Sequence, residues 1–218
     1  MKKSLKNVVC LLALVAITAP SFGAITGSAH DFSSAGSGSW TSGSEEKCDV
    51  CHAPHGNQDT LAAGASVLWN HEVSTKDFSA TLYDSPTMDA TTGVPSGASK
   101  LCLSCHDGTV ELDSFGGATG ATTIGAGFQV GAGAEGLSQE HPISFSYSEA
   151  YTGEGAGTTL AVESKTTAIG GTITQDLLVG GNVECASCHD VHNSQDNGAG
   201  LLQIVNTNSE LCLTCHEK

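Results

Sequence analysis

The pattern Cys-x-x-Cys-His occurs four times in this 218-residue chain, at 48–52, 102–106, 185–189 and 212–216. Of nine cysteines, Cys48, Cys51, Cys102, Cys105, Cys185, Cys188, Cys212 and Cys215 lie in these motifs, and only Cys10 does not. This is the attachment signature of c-type haem: two thiols add across the vinyl groups, and the next residue is held under the iron as an axial ligand. Paired cysteines at this spacing also build structural zinc sites or redox-active disulfides. Neither use explains a histidine after the second cysteine every time. Four covalent haems do, with His52, His106, His189 and His216 as proximal ligands.

Residues 1–23 read as a secretory signal: Lys2, Lys3 and Lys6, then an apolar run from Val8 to Ala19, then small residues up to Gly23,. The run is too short to span a membrane, and Cys10 stands at its front, where a lipid anchor is not expected. The chain is therefore expected to be exported, to the cell surface or beyond it, with the periplasm as the alternative. Without the signal, five lysines and no arginine face 23 acidic residues, a net charge of −18. Such a surface repels nucleic acid and anionic lipid, and it suits cationic partners, metal ions or minerals, or simply solubility.

With 27 glycines and only 5% aromatic residues, the chain promises little apolar side-chain core. Haems are expected to supply that core. The expected fold is a multihaem cytochrome c: mostly irregular loops, with short helices and a few short strands, wrapped around four covalently bound haems in one domain over 24–218. Within it, 24–47 reads as a polar extended arm with few internal contacts, 48–108 as a first haem pair, 109–184 as a Gly/Thr-rich insertion and 185–218 as a second pair. Ser99, Leu101, Cys105 and Gly108 mark a short helix around the second motif,. Alternation over 143–147 and 172–174 predicts one or two short strands. Lys100-Leu-Cys-Leu-Ser-Cys-His106 matches Glu210-Leu-Cys-Leu-Thr-Cys-His216, so the chain reads as a duplicated two-haem unit,.

Five histidines remain for the distal positions: His30, His55, His71, His141 and His192. Met88, the only methionine outside the signal, reads as a packing or surface residue. Bis-histidine iron lacks the Met/His set that raises potential, so low-potential haems are expected. His52 and His55 are three residues apart, hence within about 11 Å even fully extended. So short a link does not reach both faces of one iron. His55, and likewise His192 after His189, is expected to serve a neighbouring haem or to be a surface histidine.

The doubled motif with a third histidine three residues on resembles the doubled-motif multihaem c-type cytochromes. Ser28-Ala-His30-Asp-Phe-Ser33, Leu68-Trp-Asn-His71, Leu103-Ser-Cys-His-Asp-Gly-Thr109 and His141-Pro-Ile-Ser-Phe145 more narrowly resemble the filament-forming tetrahaem outer-surface cytochromes of metal-reducing bacteria. The resemblance implies six-coordinate bis-histidine haems, one axial histidine lent by the adjacent subunit, and self-assembly head to tail. Electron transfer to other redox proteins or extracellular acceptors is then expected, and His30 on the arm is the leading candidate to cross the junction. A soluble periplasmic shuttle is the alternative within that class. A multihaem reductase is the other class; it needs an open iron and cationic groups, and the chain has no arginine to hold an anion,.

Overall fold

The computed structural model describes residues 25–54, 68–155, 157–197 and 200–217. The signal segment, including Cys10, and His55 lie outside them. Five short helices and one minimal sheet punctuate long loops. Helix α1 spans Gly97–His106, α2 Tyr147–Gly153, α3 Ile173–Asp176, α4 Cys185–Cys188 and α5 Glu210–Cys215. Strands β1, Phe145–Ser146, and β2, Asn182–Val183, pair antiparallel with Phe145 opposite Val183. This is the expected loop-rich fold. Among the described residues no helix is long and apolar enough to cross a membrane.

Helix α1 starts two residues earlier than the sequence suggests, with Ser96 as N-cap, and ends where Gly108 turns to φ +73°. It buries Ser99, Leu101, Leu103 and Ser104. Leu103 packs with Phe78 and Leu137 in one small apolar cluster. The larger cluster is made mostly by the insertion: Phe145, Tyr147, Ala150, Ala161, Ile173 and Val183, with Met88 and Cys215 packed against it. Tyr147 donates its hydroxyl to the Ala161 carbonyl at 2.8 Å, so a buried phenol is satisfied,.

Two expectations are corrected. Only Phe145–Ser146 of the first alternating stretch is strand, and its partner is 182–183 rather than 172–174. Thr172 instead caps α3: its hydroxyl accepts from Gln175 N–H at 3.3 Å, and the Gln175 side chain accepts from Thr172 N–H at 3.1 Å. The Thr-x-x-Gln spacing is a capping box, which outweighs a three-residue alternation.

The arm is also not extended. Asp31 is fully buried, and its carboxylate accepts from Gly27 N–H at 2.8 Å, Ser33 N–H at 3.1 Å and the Ser33 hydroxyl, with Lys47 Nζ at 3.6 Å. Phe32 meets Trp40 edge-on, with ring centres 5.3 Å apart. Local side-chain-to-backbone bonds thus order a segment that has little apolar surface to bury. Asp31→Ala should release it: trypsin is expected to cut after Lys47 several-fold faster, with cleavage elsewhere unchanged, read by timed digestion and mass spectrometry.

Candidate haem-binding site

A single helical turn places residues i, i+3 and i+4 on one face, which is the spacing of Cys, Cys and His in each motif. The turn is closed alike in three copies, where the histidine N–H donates to the first cysteine's carbonyl: His52 to Cys48 at 2.8 Å, His189 to Cys185 at 3.0 Å and His216 to Cys212 at 2.9 Å. His106 instead ends the longer helix α1.

The chain around those three histidines is extended, and each is clamped by a remote segment. Asn70 N–H donates to Cys51 O while Ala53 N–H donates to Leu68 O; Gln203 donates to Cys188 O while Asp190 donates to Leu201 O; Ala161 donates to Cys215 O while Glu217 donates to Thr159 O. His52 thereby faces Trp69, His189 faces Leu202 and His216 faces Leu160. Leu68 and Leu201 both adopt positive φ, 54° and 49°. The first and third motifs are therefore held by the same device, including an unusual backbone state for a bulky residue. Sequence reasoning missed these clamps; Leu68-Trp-Asn70 set beside Leu201-Leu-Gln203 was the available signal.

The imidazoles are oriented as ligands. Nδ1 of His106 faces the Phe128 carbonyl at 2.7 Å, that of His189 the Gly200 carbonyl at 2.9 Å and that of His141 the Pro142 carbonyl at 2.9 Å. Donation from Nδ1–H fixes the tautomer and leaves the Nε2 lone pair for a metal. Burial first, then the charges of His106, His189 and His192, lowers the His30 pKa to about 4, which keeps that ring neutral.

Three ring pairs stand out: His30 with His106 at 6.0 Å between centres, His52 with His192 at 6.2 Å, and His141 with His216 at 6.3 Å. A metal–imidazole bond of about 2.0–2.1 Å, with the ring centre about 1.1 Å behind the nitrogen, sets two trans rings about 6.3 Å apart. Each pair joins one motif histidine to one distal candidate. His192 thus stands beside His52 of the first motif. His71 is fully buried, with Nδ1 2.8 Å from Glu72 O, and Nε2 3.0 Å from Glu111 O and 3.5 Å from Cys105 Sγ; its single N–H donates to one of the two carbonyls,. Among the described residues no imidazole stands at pairing distance from His189.

The thiols place the motifs in series. Burial first, then the Cys51 thiol, raises Cys105. The Cys102 and Cys185 thiols act on each other, raising Cys102 and lowering Cys185 to about 7. Burial, then Cys215 and Cys212, pushes Cys188 up to about 11. Electrostatic influence therefore runs between thiols of the first and second, second and third, and third and fourth motifs. Six of the eight motif thiols are neither fully buried nor exposed, while Cys48 and Cys212, in the outermost motifs, are exposed.

These residues fit haem. The Trp69 indole N–H and Asp49 Oδ1 are buried without partners, and an orphan indole donor beside the first motif suits the carboxylates a haem carries. Among the described residues no three His, Cys, Asp or Glu side chains converge as they would around a bare metal ion. The thiols of Cys51, Cys105, Cys188 and Cys215, raised first by burial, are also unlike the depressed thiolates of redox Cys-x-x-Cys sites, Cys185 being the exception,.

No curated protein matches the chain. Residues 178–218, which contain the third and fourth motifs, match the family described as Doubled CXXCH motif. With two further copies of that motif upstream, the match supports a multihaem c-type cytochrome, with haem c bound covalently through the Cys-x-x-Cys-His motifs.

Proposed function

We propose that the chain carries electrons through four closely spaced bis-histidine haems and is the subunit of an extracellular filament. The observation that carries the first part is the set of three imidazole pairs at 6.0–6.3 Å, each built from one motif histidine and one distal histidine. Haem c supplies one-electron chemistry at such positions. The protein's share is to hold both faces of each iron closed, exclude substrate, and keep consecutive motifs in contact. Bis-histidine sites without a Met partner favour low potential. A pyridine haemochrome assay should give four haems per chain, with a low-spin oxidised spectrum and no carbon monoxide binding on reduction. Fewer than four haems, or a high-spin fraction in the parent protein, would remove this reading.

The filament reading rests on the resemblance to the tetrahaem outer-membrane cytochrome E group and on the exposed cysteines of the first and last motifs. The contact of His30 with His106 of its own chain favours the alternative in which His30 closes a haem within its own subunit. His189 is the position left to complete, by His55 or by a histidine lent by the next subunit. A heterologous contact of that kind, when its rotation does not close, builds an open fibre. Negative-stain images of the purified secreted protein should show thin filaments. Globular particles alone would leave the soluble shuttle.

A further inference from the structure

Glu184 immediately precedes the third motif and is buried, 4% exposed. Its Oε2 accepts from the Ser99 hydroxyl on α1 and from the Ser144 hydroxyl at 2.9 Å. Ser99 is fully buried and also accepts the Cys185 N–H at 3.0 Å, so its single proton is committed to the carboxylate,. Ser99 lies one helical turn before Cys102, and through its contact with Cys185 N–H it ties the second motif's helix to the third motif. Helices α1 and α4, which carry the second and third motifs, pack on each other here. One carboxyl group therefore sits at the seam between two consecutive haem-attachment sites, away from bulk water.

Among the described residues no cationic side chain forms an ion pair with Glu184. Burial raises the Glu184 carboxyl above the usual range, and the two serine hydroxyls only partly offset this. Of the titratable groups facing it, Cys185 on α4 feels its charge, and Cys102 on α1 lies beside Cys185; both thiols are consumed once haem is attached. Ser99 and Ser144 complete the contacts, and neither titrates. A buried, unpaired charge is costly unless it neutralises, and an electron arriving next to a carboxylate raises that cost.

We propose that Glu184 is a proton-uptake site coupled to reduction at the seam of the second and third motifs. With haem attached at these motifs, the one-electron chemistry would be the cofactor's; on its reduction by the donor Glu184 would take one proton from solvent and pass from carboxylate to acid, and on oxidation it would return that proton. The reading rests on haem being bound at these motifs.

The test uses the haem-loaded full chain, with haem content measured separately so that a failure of haem attachment is seen as such. In the parent, one haem's reduction potential should fall as pH rises, by up to 59 mV per unit for one proton per electron, a tenfold change in equilibrium constant. In Glu184→Gln that slope should vanish for the seam haem, and its potential should be higher at alkaline pH. A Glu184→Gln protein with four haems and the parent's pH profile would overturn the proposal. A second measurement covers a variant that loads poorly. The infrared difference spectrum of the parent on reduction should show a new protonated-carboxyl band that shifts in deuterium oxide, and its absence throughout the titration range would also overturn the proposal.

Discussion

Replacing His192 with alanine is expected to leave all four haems attached while opening one iron, so that carbon monoxide binding to the reduced protein rises from none to one equivalent per chain. Attachment depends on Cys185 and Cys188, whose helical turn is closed by the His189 N–H and does not involve the His192 ring. What the ring does is face His52 at 6.2 Å, nearly parallel to it at 14°. The opened iron should therefore be the one at the first motif, a site remote in sequence from the substitution. His71→Ala is the informative contrast. Its ring lies between two backbone carbonyls, Glu72 O and Glu111 O, and its single N–H serves one of them,. Losing it should leave carbon monoxide binding at zero and cost about 0.5–1.5 kcal/mol for the one hydrogen bond lost. Carbon monoxide binding in His71→Ala but not in His192→Ala would exchange their roles.

A chain produced without haem attachment should lack a cooperative thermal transition altogether, whereas the loaded protein should melt in one. The longest helix has 10 residues and the others 7, 6, 4 and 4. Helices below about 12–15 residues are marginal alone, and the sheet has two residues per strand. The two apolar clusters hold six and three buried residues. That is little to set against an ordering cost of about 1–2 kcal/mol per residue. The motif turns and their clamping segments have nothing broad to pack on except the attached groups, so coupling of binding to folding follows. Far-UV circular dichroism of the unloaded chain should show mostly irregular structure and a sloping, non-sigmoidal melt. A sharp transition in that sample would mean that the polypeptide core suffices.

How much of this was legible from residues alone depends on the range of the interaction. The motifs, the helix around Cys102 and the loop-rich character follow from spacing and composition, which are local. The short link between His189 and His192 argued against a shared iron, and His192 lies beside His52 of another motif,. The partners of individual histidines were not legible, since each pairing joins segments far apart in sequence. The arm was misjudged for a different reason: a single buried aspartate, Asp31, organises it through backbone donors, and hydrophobic patterning does not register that kind of order. The surroundings of His71 were not legible either, since one of the two carbonyls beside its ring, Glu111 O, comes from 40 residues away.

The three ring pairs have a mechanical consequence. Closed through a metal, they would form three loops, from 30 to 106, from 52 to 192 and from 141 to 216. The loops overlap in order, each beginning before its predecessor ends, so they link like successive rings of a chain. Tension applied at the two termini would then run through the 30–106 and 141–216 closures and the stretch between 106 and 141, with the rest of the length between 30 and 216 held back in reserve. A molecule pulled from its ends should yield little slack until a metal–imidazole bond breaks, and should then release it in a few large steps.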